Sequence, residues 1–153
     1  MGIFMGILIS NHYLNCALLG WFIAQSIKFV ATSIKDKKLR IDRFFGSGGM
    51  PSSHSALVTG LLTMVFIIKG FSSVEFAIAA AYSFITVYDA ANVRYEVGEQ
   101  AKIINQIIEN WKIDNFEVRS KRFKELMGHT KLEVTAGCAL GAAISVTYWL
   151  LFL

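Results

Sequence analysis

Apolar residues fall in two long runs and two short ones. Residues 13–34 and 134–153 each match the stretch of about 20 apolar residues that carries an α-helix across a bilayer. Residues 55–68 and 76–88 are equally apolar but shorter, so as spans they need flanking polar residues, a tilt, or shelter against neighbouring helices. With those flanks, the pattern predicts membrane-spanning helices near residues 13–34, 52–69, 74–93 and 133–153. The break Lys69-Gly70-Phe71-Ser72-Ser73 reads as a tight helical hairpin whose lysine snorkels to the interface. The stretch after the third span is polar, yet Ile103, Ile104, Ile107, Ile108 and Trp111 recur at helical spacing, predicting an amphipathic helix that packs on the bundle or lies in the interface. The fold class that follows is all-α: a polytopic membrane helix bundle of about four transmembrane helices, with an amphipathic helix in the long loop, as a single domain over residues 1–153.

Composition narrows the alternatives. A hydrophobic content of 54%, with 17% charged residues and one proline, is unlike a soluble domain. Aromatic residues at 13% argue against disorder, glycine shows no three-residue period, and two cysteines make no disulfide scaffold. Cys16 and Cys138 sit inside apolar runs and read as small hydrophobes. The start, residues 1–10, lacks a basic n-region and is expected to be retained rather than removed as a signal peptide.

The net charge of +4 comes from basic residues gathered in two segments between spans, so it points to membrane topology and not to nucleic acid. Residues 34–53 hold five Lys and Arg, and residues 94–132 hold eight. Alternation puts both segments on one side, which the positive-inside rule assigns to the cytoplasm, with both termini facing outward.

Ionisable residues within or at the ends of spans are costly and therefore informative. Six stand out: Lys28, His54, Asp89, Arg94, His129 and Glu133, all toward the predicted cytoplasmic ends. Lys28 and Arg94 would each also serve as plain interface anchors. The segment Gly46-Ser47-Gly48-Gly49-Met50-Pro51-Ser52-Ser53-His54-Ser55 runs into the second span. Its glycines let backbone approach a ligand, and its proline and serines start a helix whose free N–H groups attract an anion such as phosphate. It is no nucleotide loop, since no Gly-Lys-Ser/Thr follows and no strand precedes; a simple capped loop is the competing reading. In Gly128-His129-Thr130-Lys131-Leu132-Glu133, His129 and Glu133 share a helix face, where the carboxylate would fix the imidazole tautomer as nucleophilic histidine chemistry requires. Thr130 and Glu133 also have the spacing of a capping box.

Together these segments resemble the type 2 phosphatidic acid phosphatase superfamily, which includes bacterial acid phosphatases and vanadium haloperoxidases, and within it a small divergent membrane branch. Its signature is Lys-x6-Arg-Pro, then Pro-Ser-Gly-His, then Ser-Arg-x5-His-x3-Asp. Pro51-Ser52-Ser53-His54 matches the second motif with Ser53 for glycine, and His129-x3-Glu133 matches the end of the third with Glu for Asp. Tyr88-Asp89-Ala90 with Val93-Arg94, and Gly128-His129-Thr130, are similar to the divergent branch. The departures are equally specific. Lys28 has Lys35, not arginine, at the seven-residue offset and no proline after it, and the Ser-Arg pair is missing, with Phe123 where its arginine would be. Arg94, with Arg122 the alternative, is expected to supply the missing arginine.

The resemblance implies a metal-independent, cofactor-free membrane lipid phosphate phosphatase. His129 would attack phosphorus to give a phosphohistidine, Glu133 would orient it, and His54 would protonate the leaving alkoxide. Lys28, Arg43, Arg94 and the N–H groups of Ser52 and Ser53 would hold the phosphoryl oxygens, with Asp89 and Gly49 in support. The substrate class is a phosphate monoester or diphosphate of a lipid, the setting a bacterial cytoplasmic membrane with the site facing the cytoplasm. The resemblance also implies a homodimer, because four spans are fewer than the six of the usual membrane members. The alternative function is a non-catalytic protein that binds or transports a lipid phosphate.

Overall fold

A computed structural model describes residues 11–38, 48–110, 123 and 128–153. Every described element is helical: α1 (His12–Asp36), α2 (Ser53–Lys69), α3 (Val74–Tyr88), a π-helical segment (Asp89–Val93), α4 (Arg94–Asn110) and α5 (Lys131–Phe152). The termini of these helices follow from local chemistry. Asn11, Ser52, Ser73 and Thr130 each accept a backbone N–H through the side chain, satisfying a donor that the first helical turn leaves unpaired. At the other ends, α1 stops at Lys37 in the left-handed region and α2 at Gly70, whose φ of 78° suits glycine.

Among the described residues, three helical runs are long and apolar enough to cross a membrane: His12–Asp36, Val74–Glu109 and Lys131–Phe152. The apolar helix Ser53–Lys69 is shorter, at 17 residues, and it is the central one, packing against α1, α3 and α5. Burial is inverted relative to a soluble protein. Small residues such as Cys16, Ala24, Ala56 and Ala79 lie inside, while Phe84, Ile78 and Leu150 are 72%, 66% and 69% exposed. Such a surface is stable only where apolar solvent surrounds it, so the chain is a membrane helix bundle.

Small residues four apart make columns along the contacting faces. Cys16 and Gly20 on α1 meet Gly60 and Ala56 on α2, and Gly137, Gly141 and Ser145 on α5 meet Ser52, Ala56 and Gly60 at the start and along the face of the same helix. A methyl group at Gly20 would sit 2.7 Å from the Ala56 carbonyl oxygen, so the backbones of α1 and α2 nearly touch. Hydrogen bonds between helices supplement this packing: Ser145 Oγ donates to the Gly60 carbonyl at 2.7 Å, and Ser83 Oγ to the Val58 carbonyl at 3.1 Å.

Two expectations are refined. The third span was expected to end near residue 93 with a separate amphipathic helix beyond it; instead the helical run Val74–Glu109 is continuous, because Asp89–Val93 widens into a π turn without breaking. The isoleucine stripe faces outward, with Ile103, Ile104 and Ile107 exposed, and the packed face of α4 carries Ala101 and Asn105 instead. Asn105 holds the Phe123 backbone through two hydrogen bonds of 3.0 Å. Trp111 lies outside the described residues.

Candidate active site

Four helix ends converge at one end of the bundle. The C-terminal part of α1 brings Lys28, the start of α2 brings Ser53 and His54, the π segment and the first residue of α4 bring Asp89 and Arg94, and the loop into α5 with its first turn brings His129 and Glu133. His54 lies within electrostatic reach of Arg94, His129, Lys28 and Asp89.

The α5 end is organised by one carboxylate oxygen. Glu133 Oε2 accepts the Thr130 amide at 3.0 Å, closing the capping box, and also faces His129 Nδ1 at 3.2 Å. The two readings of the His129–Glu133 segment therefore hold together: the helix cap fixes the carboxylate, and the carboxylate fixes the imidazole. With Nδ1–H donating to Glu133, Nε2 is the ring nitrogen that carries the lone pair. His129 is 4% exposed. Burial is the main influence on it and pulls its pKa below the usual histidine value; the Glu133 hydrogen bond and charge work the other way, Lys28 adds to the lowering, and the Gly49 backbone opposes it.

The loop carrying His129 is docked on the π segment. Arg94 N–H reaches back to the Asp89 carbonyl, one residue further than in an α-helix, and the neighbouring Ala90 carbonyl accepts the His129 N–H at 3.1 Å. Gly128 leans so closely on the backbone of Arg94 and Tyr95 that a Cβ there would collide with it. The π turn also places Arg94 Nε 2.6 Å from Asp89 Oδ2.

On the α2 side, Lys28 is 5% exposed, and its Nζ donates to Ser53 Oγ at 3.2 Å. Gly49, with φ of 82°, lies over the Lys28 side chain, where a Cβ would be 3.6 Å from Lys28 Cδ. One expectation is corrected. The Ser52 N–H, expected to hold a phosphoryl oxygen, donates to the Glu133 carbonyl at 3.0 Å, and its hydroxyl caps α2 while accepting from Ser55 Oγ at 2.9 Å. Ser52 thus ties the α2 start to α5. The Ser53 amide, at the first position of α2, has no partner among the described residues and points from the positive end of the helix. Arg43 and Arg122 lie outside the described residues.

Beside His129 opens a pocket of about 350 Å³, lined by Ala91, Asn92, Tyr95, Glu96, Thr130 and Lys131. None of these six is a site candidate by sequence pattern, since only the docking of Gly128-His129 onto the π segment brings them together.

The sequence profile of the divergent PAP2 family matches residues 9–144. The chain belongs to the divergent PAP2 family. It is also 36% identical over 149 residues to the uncharacterized membrane protein YuiD of Bacillus subtilis (strain 168), an alignment covering 91% of this chain and 94% of that one. No solved structure gave a significant match. Membership in the divergent PAP2 family makes this a phosphatase-related membrane protein, and the residues through which it resembles the superfamily's motifs are among those gathered at the bundle end.

Proposed function

We propose that this protein is a metal-independent lipid phosphate phosphatase that works through a phosphohistidine. The observation that carries the proposal is the His129–Glu133 pair: a buried imidazole with Nδ1 on a carboxylate, set among Lys28, Ser53, His54 and Arg94. In the first step Nε2 of neutral His129 forms a bond to phosphorus while the bond to the lipid oxygen breaks, and His54 gives its proton to the departing alkoxide. In the second, neutral His54 takes a proton from water as that water attacks phosphorus, the P–N bond breaks, and phosphate leaves with both histidines restored. Lys28, Arg94 and the Ser53 amide stabilise the phosphoryl oxygens, and Arg43 is a further candidate. The apolar outer faces of the helices suit a lipid tail beside a site at the membrane surface. The clustering of Lys and Arg supports a cytoplasm-facing site.

The deciding experiment is phosphate release by the purified protein from a panel of lipid phosphate monoesters and diphosphates, with chelator present. Release is expected, and orthovanadate, which mimics the trigonal-bipyramidal phosphoryl geometry, should inhibit it at concentrations about a hundredfold or more below the substrate KM. Inside-out vesicles should be active on added substrate and sealed right-side-out ones silent. Binding of the lipids without any release would instead establish a lipid phosphate carrier.

The His129 environment fixes the pH dependence. The nucleophile must be neutral, so activity falls as pH drops through its pKa, and the acid limb of kcat/KM should lie below 6.5, the ordinary value for histidine. Glu133 holds that pKa up, so Glu133→Gln should move the limb lower still while reducing the plateau by about tenfold to a hundredfold. A limb that stays put or moves up would remove Glu133 from its assigned role.

A further inference from the structure

Asp89 and Arg94 are five residues apart, and on a regular α-helix, at about 100° per residue, their side chains would diverge by some 140°. The π turn between them closes that angle, so that Arg94 Nε sits 2.6 Å from Asp89 Oδ2. The same turn presents the Ala90 carbonyl to the His129 N–H. We infer that Asp89 is a positioning residue that fixes Arg94 as the phosphate clamp of the site, with the π-helical segment setting the clamp and the nucleophile loop in register with one another. This inference rests on the proposed function.

The edge of the guanidinium that Asp89 engages decides whether its charge helps or opposes phosphate. A carboxylate beside an anion site opposes anion binding unless its charge is already engaged. Asp89 engages Nε, on the side of the guanidinium, and leaves the end formed by Nη1 and Nη2 as a fork that can grip two phosphoryl oxygens. Arg94 is half-exposed and would otherwise sample many rotamers, so an anchor at Nε limits the ordering needed when phosphate binds. An ordinary surface ion pair at this position would instead be worth little and would not affect phosphate. His54 lies within electrostatic reach of both residues, so the pair is at the same end of the bundle as the two histidines and not on a remote face.

The test is a double-mutant cycle on the full chain in detergent, with Asp89→Asn, Arg94→Ala and the double variant. Orthovanadate binding is read by calorimetry, kcat and KM on a lipid phosphate, and integrity by the thermal midpoint. Asp89→Asn should weaken vanadate binding and lower kcat/KM by about tenfold each with the midpoint unchanged, yet change neither in the Arg94→Ala background. Asp89→Glu should recover part of the loss, and it replaces Asp89→Asn in the cycle if the asparagine variant fails to fold. Vanadate affinity within twofold of wild type in Asp89→Asn, or an equal loss with and without Arg94, overturns the inference. So does a wild-type chain that binds no vanadate. A wild type that releases no phosphate but shows the expected binding cycle would end the phosphatase reading and leave the positioning role standing.

Discussion

His129→Ala is expected to lower phosphate release by about three orders of magnitude or more while leaving the bundle folded. The size follows from the chemistry. Alanine offers no lone pair to phosphorus, and no other described nucleophile is held against a carboxylate at this end of the bundle, so what remains is the contribution of binding and charge alone. The fold should survive because the loop's anchor is a backbone bond, His129 N–H to the Ala90 carbonyl, which alanine keeps. Glu133 likewise retains the Thr130 amide through its capping box. Wild-type protein quenched during turnover should carry phosphate in a linkage that survives alkali and is lost in acid, as phosphohistidine is, and the variant should carry none. Activity within tenfold of wild type in a folded His129→Ala protein would remove the nucleophile from the mechanism.

Most of the bundle's framework could be read from the chain itself. The two long apolar runs become α1 and α5, the capping serines and threonine stand where α2, α3 and α5 begin, and the four-residue spacing of His129 and Glu133 becomes a hydrogen bond. These features are legible because they are local: period, cap and spacing act within a few residues. What could not be read depends on partners far along the chain. Asp89-Ala90-Ala91-Asn92-Val93 contains no breaker and reads as ordinary helix, since a π turn has no residue signature of its own. Its one trace in sequence is the oppositely charged pair five apart, a spacing that an α-helix does not reward. The Ser52 amide looked free for phosphate for the same reason, because the Glu133 carbonyl that takes it is 81 residues away. The small residues at spacing four were present in the sequence, but only the bundle pairs the column on α2 with those on α1 and α5.

That pairing leads to the largest expected effect on stability, from Gly141→Val. A Cβ at 141 collides with the Ala56 carbonyl oxygen and would lie 2.9 Å from the Gly60 nitrogen and 3.0 Å from the Ala56 carbonyl carbon. All three are backbone atoms of the central helix, so no side chain can rotate aside, and α5 has to move away from α2. Overpacking commonly costs 1–3 kcal/mol, and about 3 kcal/mol or more is expected here because the contact is backbone on backbone and valine adds two further methyl groups. Separation would also stretch the Ser145 hydrogen bond to Gly60, one turn further along the same face. Gly70→Ala is the control without a clash: nothing lies within 4 Å of its added Cβ, so only its positive-φ, extended-ψ backbone, a region essentially reserved for glycine, penalises it, by about 1–3 kcal/mol. In detergent, the thermal midpoint of Gly141→Val should therefore fall below those of wild type and Gly70→Ala, and a midpoint equal to that of wild type would show that α2 and α5 do not meet as described. Activity should fall with it, although residue 141 lies about three turns along α5 from the histidine. Ser53 and His54 ride on α2, and His129 and Glu133 sit at the start of α5, so the site is assembled only as well as those two helices are packed.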